Sequence, residues 1–298
     1  MGPSKPFLTL ALIGGVLGIS TSAVLIRLGD APPPVMAFYR MFFAALFFLP
    51  GALRQRKEYA ISREDLGLAL GAGAFLALHF LLWMSSLSYT SVASSVVLAT
   101  THPVWVFLLS LLFLKEKPSR SMWLGLGLSL AGGLLVTSSQ GLGESRLLGN
   151  SLALGGALTI AFYLILGRRL RQNLPLALYS TFVFGSASFL IALFLLFRGL
   201  PFRGYSHQTW LVFLGLALFP TVLGHNTLNW ALKFLPATLV SAFILGEPLG
   251  ASLLAVFVLG EIPSGRELLG SFITLMGIFL VWRGGKGSDP SDQTLKSS

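Results

Sequence analysis

Two stretches of the sequence are versions of one another: residues 103–136 read PVWVFLLSLLFLKEKPSRSMWLGLGLSLAGGLLV, and residues 248–281 read PLGASLLAVFVLGEIPSGRELLGSFITLMGIFLV. Aligned without a gap at an offset of 145 residues, they are identical at 13 of 34 positions. A leucine-rich composition gives some identities by chance, but it does not also align a Glu-x-Pro-Ser turn and two glycines. The chain is therefore expected to contain two copies of one structural unit.

The composition is that of a membrane protein. Of the 298 residues, 54% are hydrophobic and 11% are charged, and the mean hydropathy is +0.78. An ordinary soluble domain has about 25% charged residues, and a disordered chain is poor in apolar residues, so both classes are excluded for most of the length. Cysteine is absent from the sequence, which excludes disulfides, iron–sulfur clusters and cysteine zinc sites.

Apolar runs alternate with charged or proline-containing connections along the whole chain. A helix needs about 20 mostly apolar residues to cross a bilayer, and ten runs approach or exceed that length. We therefore predict an all-α integral membrane protein with ten transmembrane helices. The predicted spans are 7–26, 35–53, 66–87, 92–114, 122–137, 149–167, 176–197, 210–232, 237–259 and 268–282.

The two copies are predicted to have opposite orientations in the membrane. Each copy holds five helices, and an odd number turns the second copy upside down, as in the inverted repeats of many transporters. The predicted units are residues 1–145 and 146–283, followed by a disordered cytoplasmic tail at 284–298. With both termini in the cytoplasm, 15 Lys and Arg residues face the cytoplasm and 5 face outward, as the positive-inside rule requires. The net charge of +10 is thus a topology signal, and no nucleic-acid partner is predicted.

One carboxylate is predicted to lie deep in the membrane. Glu247 is the eleventh residue of its span, about 16 Å along a helix, and Pro248 follows it. The same 145-residue offset pairs them with His102 and Pro103, so each central helix is expected to carry a titratable side chain beside a proline kink. In the functional interpretation, Glu247 exchanges a proton or holds an amine, and His102 is its partner or a substrate hydrogen-bonding group. In the structural interpretation, a neutral Glu247 satisfies the carbonyl that Pro248 leaves free.

Other polar residues within the spans have two interpretations as well. Arg40 either binds a substrate carboxylate or is a structural arginine that links helices or reaches the interface. Three pairs on the third and eighth predicted helices are spaced four residues apart, so each pair shares a helix face. They either line a site for a small zwitterionic or aromatic substrate or serve helix packing. These pairs are His79 and Trp83, His225 and Asn229, and Asn226 and Trp230.

The sequence contains none of the motifs HExxH, GxxxxGK[ST] or GxGxxG, which would indicate a zinc enzyme, a nucleotide-driven pump or a dinucleotide enzyme. No metal, no cofactor and no enzymatic activity are predicted. The expected partners are the lipid bilayer and a small-molecule substrate, with protons as the candidate coupling ion. Transport without ATP draws either on an ion gradient, as in proton coupling, or on the substrate itself, as in facilitated transport.

Several short motifs stand in a distinctive order: FYRMFFAAL at 38–46, SLSYTSVA at 86–93 and ALKFLPAT at 231–238. Together with the duplicated pattern, they resemble the drug/metabolite transporter superfamily, specifically its EamA-type ten-helix exporters, over about residues 7–282. The resemblance implies a multi-pass protein of the cytoplasmic membrane with a central cavity, which exports small metabolites such as amino acids. Drugs, nucleosides and other solutes are the alternative substrates, and a channel or an intramembrane enzyme is the alternative activity. The resemblance fixes neither the substrate nor the oligomeric state.

Overall fold

The computed structural model describes residues 3–59, 61–114, 119–139, 144–235, 240 and 243–285. Within these ranges the regular structure is helical and no strand is present. The turn at 115–118, the start of the ninth predicted span at 237–239 and the predicted tail from 286 onward lie outside the described residues. The helices up to residue 139 are α1 (Lys5–Ser20), α2 (Ser22–Leu28), α3 (Pro33–Gln55), α4 (Arg63–Ser86), α5 (Val92–Ala99), α6 (His102–Leu114) and α7 (Arg120–Ser139).

The remaining helices include one π-helical segment and one 3-10 turn. The π-helical segment separates α10 from α11, and the 3-10 turn, Ile244–Gly246, precedes α12. The elements are α8 (Glu144–Asn173), α9 (Leu176–Phe197), α10 (His207–Leu216), the π-helical segment (Ala217–His225), α11 (Asn226–Ala231), α12 (Glu247–Leu259) and α13 (Gly265–Gly285).

Six stretches in the described part of the chain are long and apolar enough to cross a bilayer, and shorter apolar helices accompany them. This agrees with the predicted class of all-helical membrane protein. The six stretches are Pro6–Leu28, Pro33–Gln55, Arg63–Ser86, Glu144–Asn173, Leu176–Phe197 and His207–Ala231, and the shorter ones are Val92–Val106, Arg120–Val136 and Glu247–Leu259.

Local chemistry explains several helix ends. Ser62 caps α4 by accepting from the Asp65 N–H, and Ser206 caps α10 by accepting from the Thr209 N–H, as serine does at N-caps. Gly260 ends α12 with φ +66°, a left-handed conformation that favours glycine. The sequence predicted a connection at 168–175, but α8 continues to Asn173. The reason is that Arg171 is buried, and its guanidinium donates to the carbonyls of Leu174 and Asn229.

Two helices break near the predicted proline kinks. A single span was predicted at 92–114, but α5 ends at Ala99 and α6 begins at His102, immediately before Pro103. Because proline has no N–H, Pro103 cannot donate to Ala99 O, its normal helical partner. At the same break, the Thr100 hydroxyl donates to Val96 O at 3.0 Å and the Thr101 hydroxyl donates to Leu98 O at 2.7 Å, beside the backbone N–H groups that these carbonyls also accept. In the other half of the chain, the 3-10 turn ends where α12 begins at Glu247.

Helices α7 and α13 form the most extensive helix pair in the described structure, and they meet through glycines. A methyl group added at Gly270 would lie 2.9 Å from Gly132 O, and one added at Gly277 would lie 2.6 Å from Gly125 O. Both separations are shorter than a Cβ atom tolerates. The sequence repeat equates Gly125 with Gly270 and Gly132 with Gly277, so the two contacts exchange when the two copies are exchanged.

Candidate functional site

A small polar cavity lies inside the bundle where the two broken helices approach α4, α8 and the end of the π-helical segment. Its volume is about 40 Å³, which is room for about three water molecules. Ligand sites in proteins usually measure roughly 300–1,000 Å³, so this cavity is smaller than a usual ligand site. It is lined by His79, Trp83, Ala99, Thr100, His102, Ile160, Tyr163, Leu164, His225, Leu228, Asn229, Ile244 and Glu247.

Glu247 presents a carboxylate to this cavity. It is half-buried, and its side chain makes no hydrogen bond to any residue that the structure describes. The carbonyl that Pro248 leaves free belongs to Ile244, and the backbone N–H of Glu247 already donates to it. The Glu247 side chain is therefore not needed to satisfy the proline break, so this geometry does not support the structural interpretation.

His102, the repeat partner of Glu247, behaves differently. Its ring is buried, and Nδ1 lies 3.4 Å from the carbonyl of Ala99, the group deprived of a partner by Pro103. This contact places the proton on Nδ1 and leaves Nε2 as an acceptor. No residue that the structure describes forms a hydrogen bond with His102 Nε2, although His102 lines the cavity. His102 Nδ1 thus contacts a carbonyl at the helix break, and Nε2 remains as an acceptor on the same ring.

His79 and Trp83 form one wall of the cavity. Their rings stack with centroids 5.9 Å apart and planes 8° from parallel, and His79 Nδ1 donates to Gly156 O at 2.9 Å. These contacts fix the orientation of the indole. Trp83 is 3% exposed, and its Nε1–H has no hydrogen-bond partner within the described part of the chain. An unsatisfied buried donor costs about 1–3 kcal/mol, so this one needs an explanation.

Asn229 supplies a second buried donor. The Tyr163 hydroxyl donates to Asn229 Oδ1 at 2.8 Å, which sets the orientation of the amide. Asn229 is 1% exposed, and no described residue accepts a hydrogen bond from its Nδ2. Tyr163 was not among the predicted site residues, because an isolated tyrosine in an apolar helix gives no sequence signal of its own.

Arg40 does not line the cavity. It is fully buried, and it donates from Nε to the Thr221 hydroxyl at 2.8 Å and from Nη1 to the Ser22 hydroxyl at 2.7 Å. Its guanidinium carbon lies 4.2 Å from the centroid of the Phe80 ring. These contacts join α3 to α2, α4 and the π-helical segment, as the inter-helix interpretation of Arg40 expects. Nη2 has no hydrogen-bond partner in the described ranges, and Arg40 is close enough to interact electrostatically with Glu247.

Thr221 also explains the π-helical segment. Pro220 cannot donate to Leu216 O, which is its normal helical partner, and the Thr221 hydroxyl donates to that carbonyl at 2.8 Å instead. The same hydroxyl accepts from Arg40, so one side chain repairs the proline break and anchors the arginine. Wide turns of this kind often occur at functional sites.

The structure brings together some of the residues spaced along the eighth predicted helix and separates others. His225 lines the cavity and packs edge-on against Phe80 with centroids 5.8 Å apart. Asn226 instead accepts a hydrogen bond from the Ser180 hydroxyl of α9 at 2.5 Å. Trp230 packs against Phe7 and Phe234. Neither Asn226 nor Trp230 lines the cavity, because the face next to that of His225 and Asn229 is occupied by neighbouring helices.

A second polar cluster, which the sequence did not single out, lies at the start of α5. We call it the α5 clasp and define it as Arg27, Ser91, Ser94, Glu261 and Glu267. Glu261 accepts from the Val92 N–H at 2.7 Å and lies 4.0 Å from Arg27. Arg27 in turn donates to Thr90 O at 2.8 Å. Glu267 accepts from the hydroxyls of Ser91 at 2.6 Å and Ser94 at 3.1 Å.

The clasp joins the two copies of the repeat. Glu267 and Ser264 cap α13 reciprocally, with Ser264 N–H donating to Glu267 Oε2 at 2.9 Å and Glu267 N–H donating to Ser264 Oγ at 3.2 Å. The same carboxylate therefore holds the first turns of both α5 and α13. A depression of about 490 Å³ opens above the clasp, lined by Arg27, Ser88, Tyr89, Thr90, Ser91, Arg146, Ser264 and Glu267.

The apolar helices and the buried polar cavity define a multi-pass α-helical membrane protein with an interior site. The chain belongs to the EamA-like transporter family, whose model matches residues 7–138 and 147–283. It is accordingly a member of the drug/metabolite transporter superfamily, a group of transporters rather than enzymes.

Individual relatives agree with the family. An uncharacterized transporter of Archaeoglobus fulgidus is 27% identical over 92% of this chain and 95% of its own length. The uncharacterized transporter YdfC of Bacillus subtilis is 26% identical over 83% of this chain and 80% of its own length. A solved crystal structure, 18% identical, superposes with a TM-score of 0.68 over 93% of this chain and 98% of the other, which shows a shared fold.

Proposed function

We propose that the protein is a secondary transporter of the cytoplasmic membrane that exports amino acids or similar small metabolites by alternating access. The observation that carries this proposal is the Glu247 carboxylate, which faces an interior cavity at a helix break and has no hydrogen-bonding partner among the described residues. A carboxylate in the membrane interior is costly and usually marks a substrate or proton pathway. A substrate amine or a proton would relieve that cost.

The proposal includes ten spans arranged as two inverted five-helix repeats. The broken helices support this count when α1 with α2, α5 with α6, and α10 with the π-helical segment and α11 are each taken as one span. The exchangeable glycine contacts between α7 and α13 support a pseudo-twofold relation between the copies. The charge distribution supports cytoplasmic termini, and the α5 clasp then lies at the outer face.

In this arrangement the outer entrance is closed. The α5 clasp ties the start of α5 in the first copy to the α12–α13 connection and the first turn of α13 in the second, and three of its residues line the outer depression. Opening requires these hydrogen bonds to break as one copy rotates against the other. The small cavity fits the same picture, because a metabolite of several heavy atoms needs more volume than 40 Å³.

The proposal is tested with purified protein in liposomes and a mixed panel of amino acids, with and without an imposed pH gradient. We expect saturable uptake and counterflow of a few amino acids, which a channel does not show, and stimulation by the gradient. Glu247→Gln removes the titratable group at nearly constant size, and we expect it to lose the gradient stimulation and at least tenfold of the transport rate. Glu58→Gln, at an exposed position, is the matched control.

Three outcomes separate the alternatives. A wild-type rate and unchanged pH dependence in Glu247→Gln would show that Glu247 has no coupling role. Flux of nucleosides or drugs without flux of amino acids would move the substrate to another class within the family. Product formation without net transport would favour an intramembrane enzyme.

A further inference from the structure

Two residues that line the cavity carry buried hydrogen-bond donors without an acceptor. Trp83 Nε1 and Asn229 Nδ2 are both buried, and neither has a hydrogen-bond partner among the residues that the structure describes. Buried polar groups in proteins are nearly always hydrogen-bonded. Two such donors in one cavity therefore indicate a group that is present only at another stage of the working cycle.

Both donors are held in place by contacts outside the cavity. Trp83 stacks on His79, whose own Nδ1 is tied to Gly156 O, and Asn229 is held by the Tyr163 hydroxyl. Each donor thus keeps its direction without a ligand, which is the preorganisation that a binding site needs. The backbone carbonyl of Asn229 also accepts from Arg171 at 3.1 Å, so the main chain at this position is anchored as well.

We propose that Trp83 Nε1–H and the Asn229 amide NH₂ form a subsite for the carboxylate or carbonyl oxygens of the substrate. The inference rests on the proposed function and makes its substrate more specific. Glu247 in the same cavity takes a cationic group, so the substrate carries an amine at one end and an oxygen acceptor at the other. This description fits an α-amino acid and excludes a simple amine as the best substrate.

This subsite differs from the interpretation of the sequence in which Arg40 binds the substrate carboxylate. Two of the Arg40 nitrogens are engaged with Thr221 and Ser22, and Arg40 is absent from the cavity wall. Arg40 has a positioning role, because it supports the π-helical segment, which ends at His225 and leads into the helix that carries Asn229.

Two conservative variants remove the donors. Trp83→Phe deletes the indole N–H and keeps an aromatic ring on His79. Asn229→Asp keeps the oxygen that accepts from Tyr163 and replaces the donor by a carboxylate, which repels an acidic substrate. The matched controls are Trp230→Phe and Asn226→Asp, the same substitutions at positions outside the cavity.

The measurement is inhibition of amino-acid uptake in liposomes by three probes: the amino acid, its carboxamide and its decarboxylated amine. A hydrogen bond to a charged group has a value that corresponds to about a tenfold to hundredfold change in affinity. We expect both cavity variants to weaken binding of the amino acid by that factor, while the controls match the wild type. The amine is expected to stay within about twofold in Trp83→Phe and to bind equally or more tightly in Asn229→Asp, because the new carboxylate attracts its ammonium group. Equal losses for the amino acid and the amine, or no loss for either, would overturn the subsite.

A second readout separates failure of the subsite from failure of the transport function. In protein labelled with ¹⁵N-tryptophan, the Trp83 indole signal is identified by its loss in Trp83→Phe. We expect amino acids to shift this signal and decarboxylated amines to leave it in place. Amino-acid transport with an unshifted signal overturns the subsite alone. A shifted signal with no transport overturns the proposed function while supporting the subsite, and neither shift nor transport overturns both.

Discussion

At the scale of single residues, Glu247 and His102 show why equivalent positions need not have equivalent roles. Both precede a proline at a helix break, and the sequence repeat pairs them. The carbonyl freed by Pro103 is approached by the His102 ring, whereas the carbonyl freed by Pro248 is satisfied by a backbone N–H. The Glu247 carboxylate is therefore not needed to satisfy a carbonyl at its helix break, whereas the His102 ring is.

Arg40 is predicted to contribute mainly to stability. Arg40→Lys cannot keep both hydrogen bonds and the stack on Phe80, because a single ammonium lacks the planar fork of a guanidinium. We expect the free energy of unfolding to fall by about 2–4 kcal/mol, measured as a lower unfolding temperature in detergent. Arg54→Lys, at an exposed position, is the control. An unchanged unfolding temperature with a raised KM for substrate would instead identify Arg40 as a ligand.

At the scale of helices, the α5 clasp makes the start of one helix depend on another part of the chain. Besides its local Ser91 cap, the start of α5 donates from the Val92 N–H to Glu261, in the α12–α13 connection, and from two serine hydroxyls to Glu267, in the first turn of α13. Capping contacts usually come from residues next to the helix they cap. Here the capping contact joins two elements that alternating access would have to separate.

Removing Glu267 is therefore predicted to open the outer entrance. The sequence contains no cysteine, so Ala99→Cys places one thiol beside the cavity in an otherwise unreactive chain. We expect Glu267→Ala to raise the labelling rate of this thiol by at least fivefold when a membrane-impermeant maleimide is added outside intact cells. Glu144→Ala, an exposed glutamate at the same end of the bundle, is expected to leave the rate unchanged. Equal labelling of both variants would contradict a closing role for the clasp.

Helix boundaries were predictable where composition determines them and not where tertiary contacts do. The apolar runs gave the positions of α3, α4 and α9 to within a few residues, because hydrophobic length is a property of the chain itself. The extension of α8 through Arg171 depends on distant carbonyl partners. The clasp likewise needs residues 27, 91 and 267 to meet in space, which their sequence positions do not reveal.

At the scale of the whole molecule, the glycine crossing of α7 and α13 is the most extensive helix contact in the described structure, and it joins the two matched segments of the sequence repeat. The glycines were visible in the sequence as repeated positions, but their mutual contact was not. Gly127, on the same helix as Gly125 and Gly132, has open space where a Cβ would lie. Gly127 is therefore a control position for alanine substitutions at the helix crossing.

Gly132→Ala is predicted to destabilise the protein by about 1–3 kcal/mol, the usual cost of overpacking. The new methyl group would lie 2.6 Å from Gly270 O, and backbone atoms cannot move away as a flexible side chain does. Gly127→Ala should leave the unfolding temperature unchanged or raise it slightly, because alanine favours helix more than glycine. Thermal unfolding in detergent compares the two, and equal stability of both variants would be inconsistent with a close crossing.

The π-helical segment that contains Pro220 determines how α11 is rotated about its axis relative to α10. A regular α-helix advances by about 100° per residue, and a π-helical stretch holds extra residues in its turns. Conversion of Ala217–His225 to regular helix would thus rotate α11 about its axis relative to α10. His225 and Asn229 would leave the positions from which they face the cavity, and their chain neighbours would replace them. One local change of helical register can in this way alter which side chains meet the substrate.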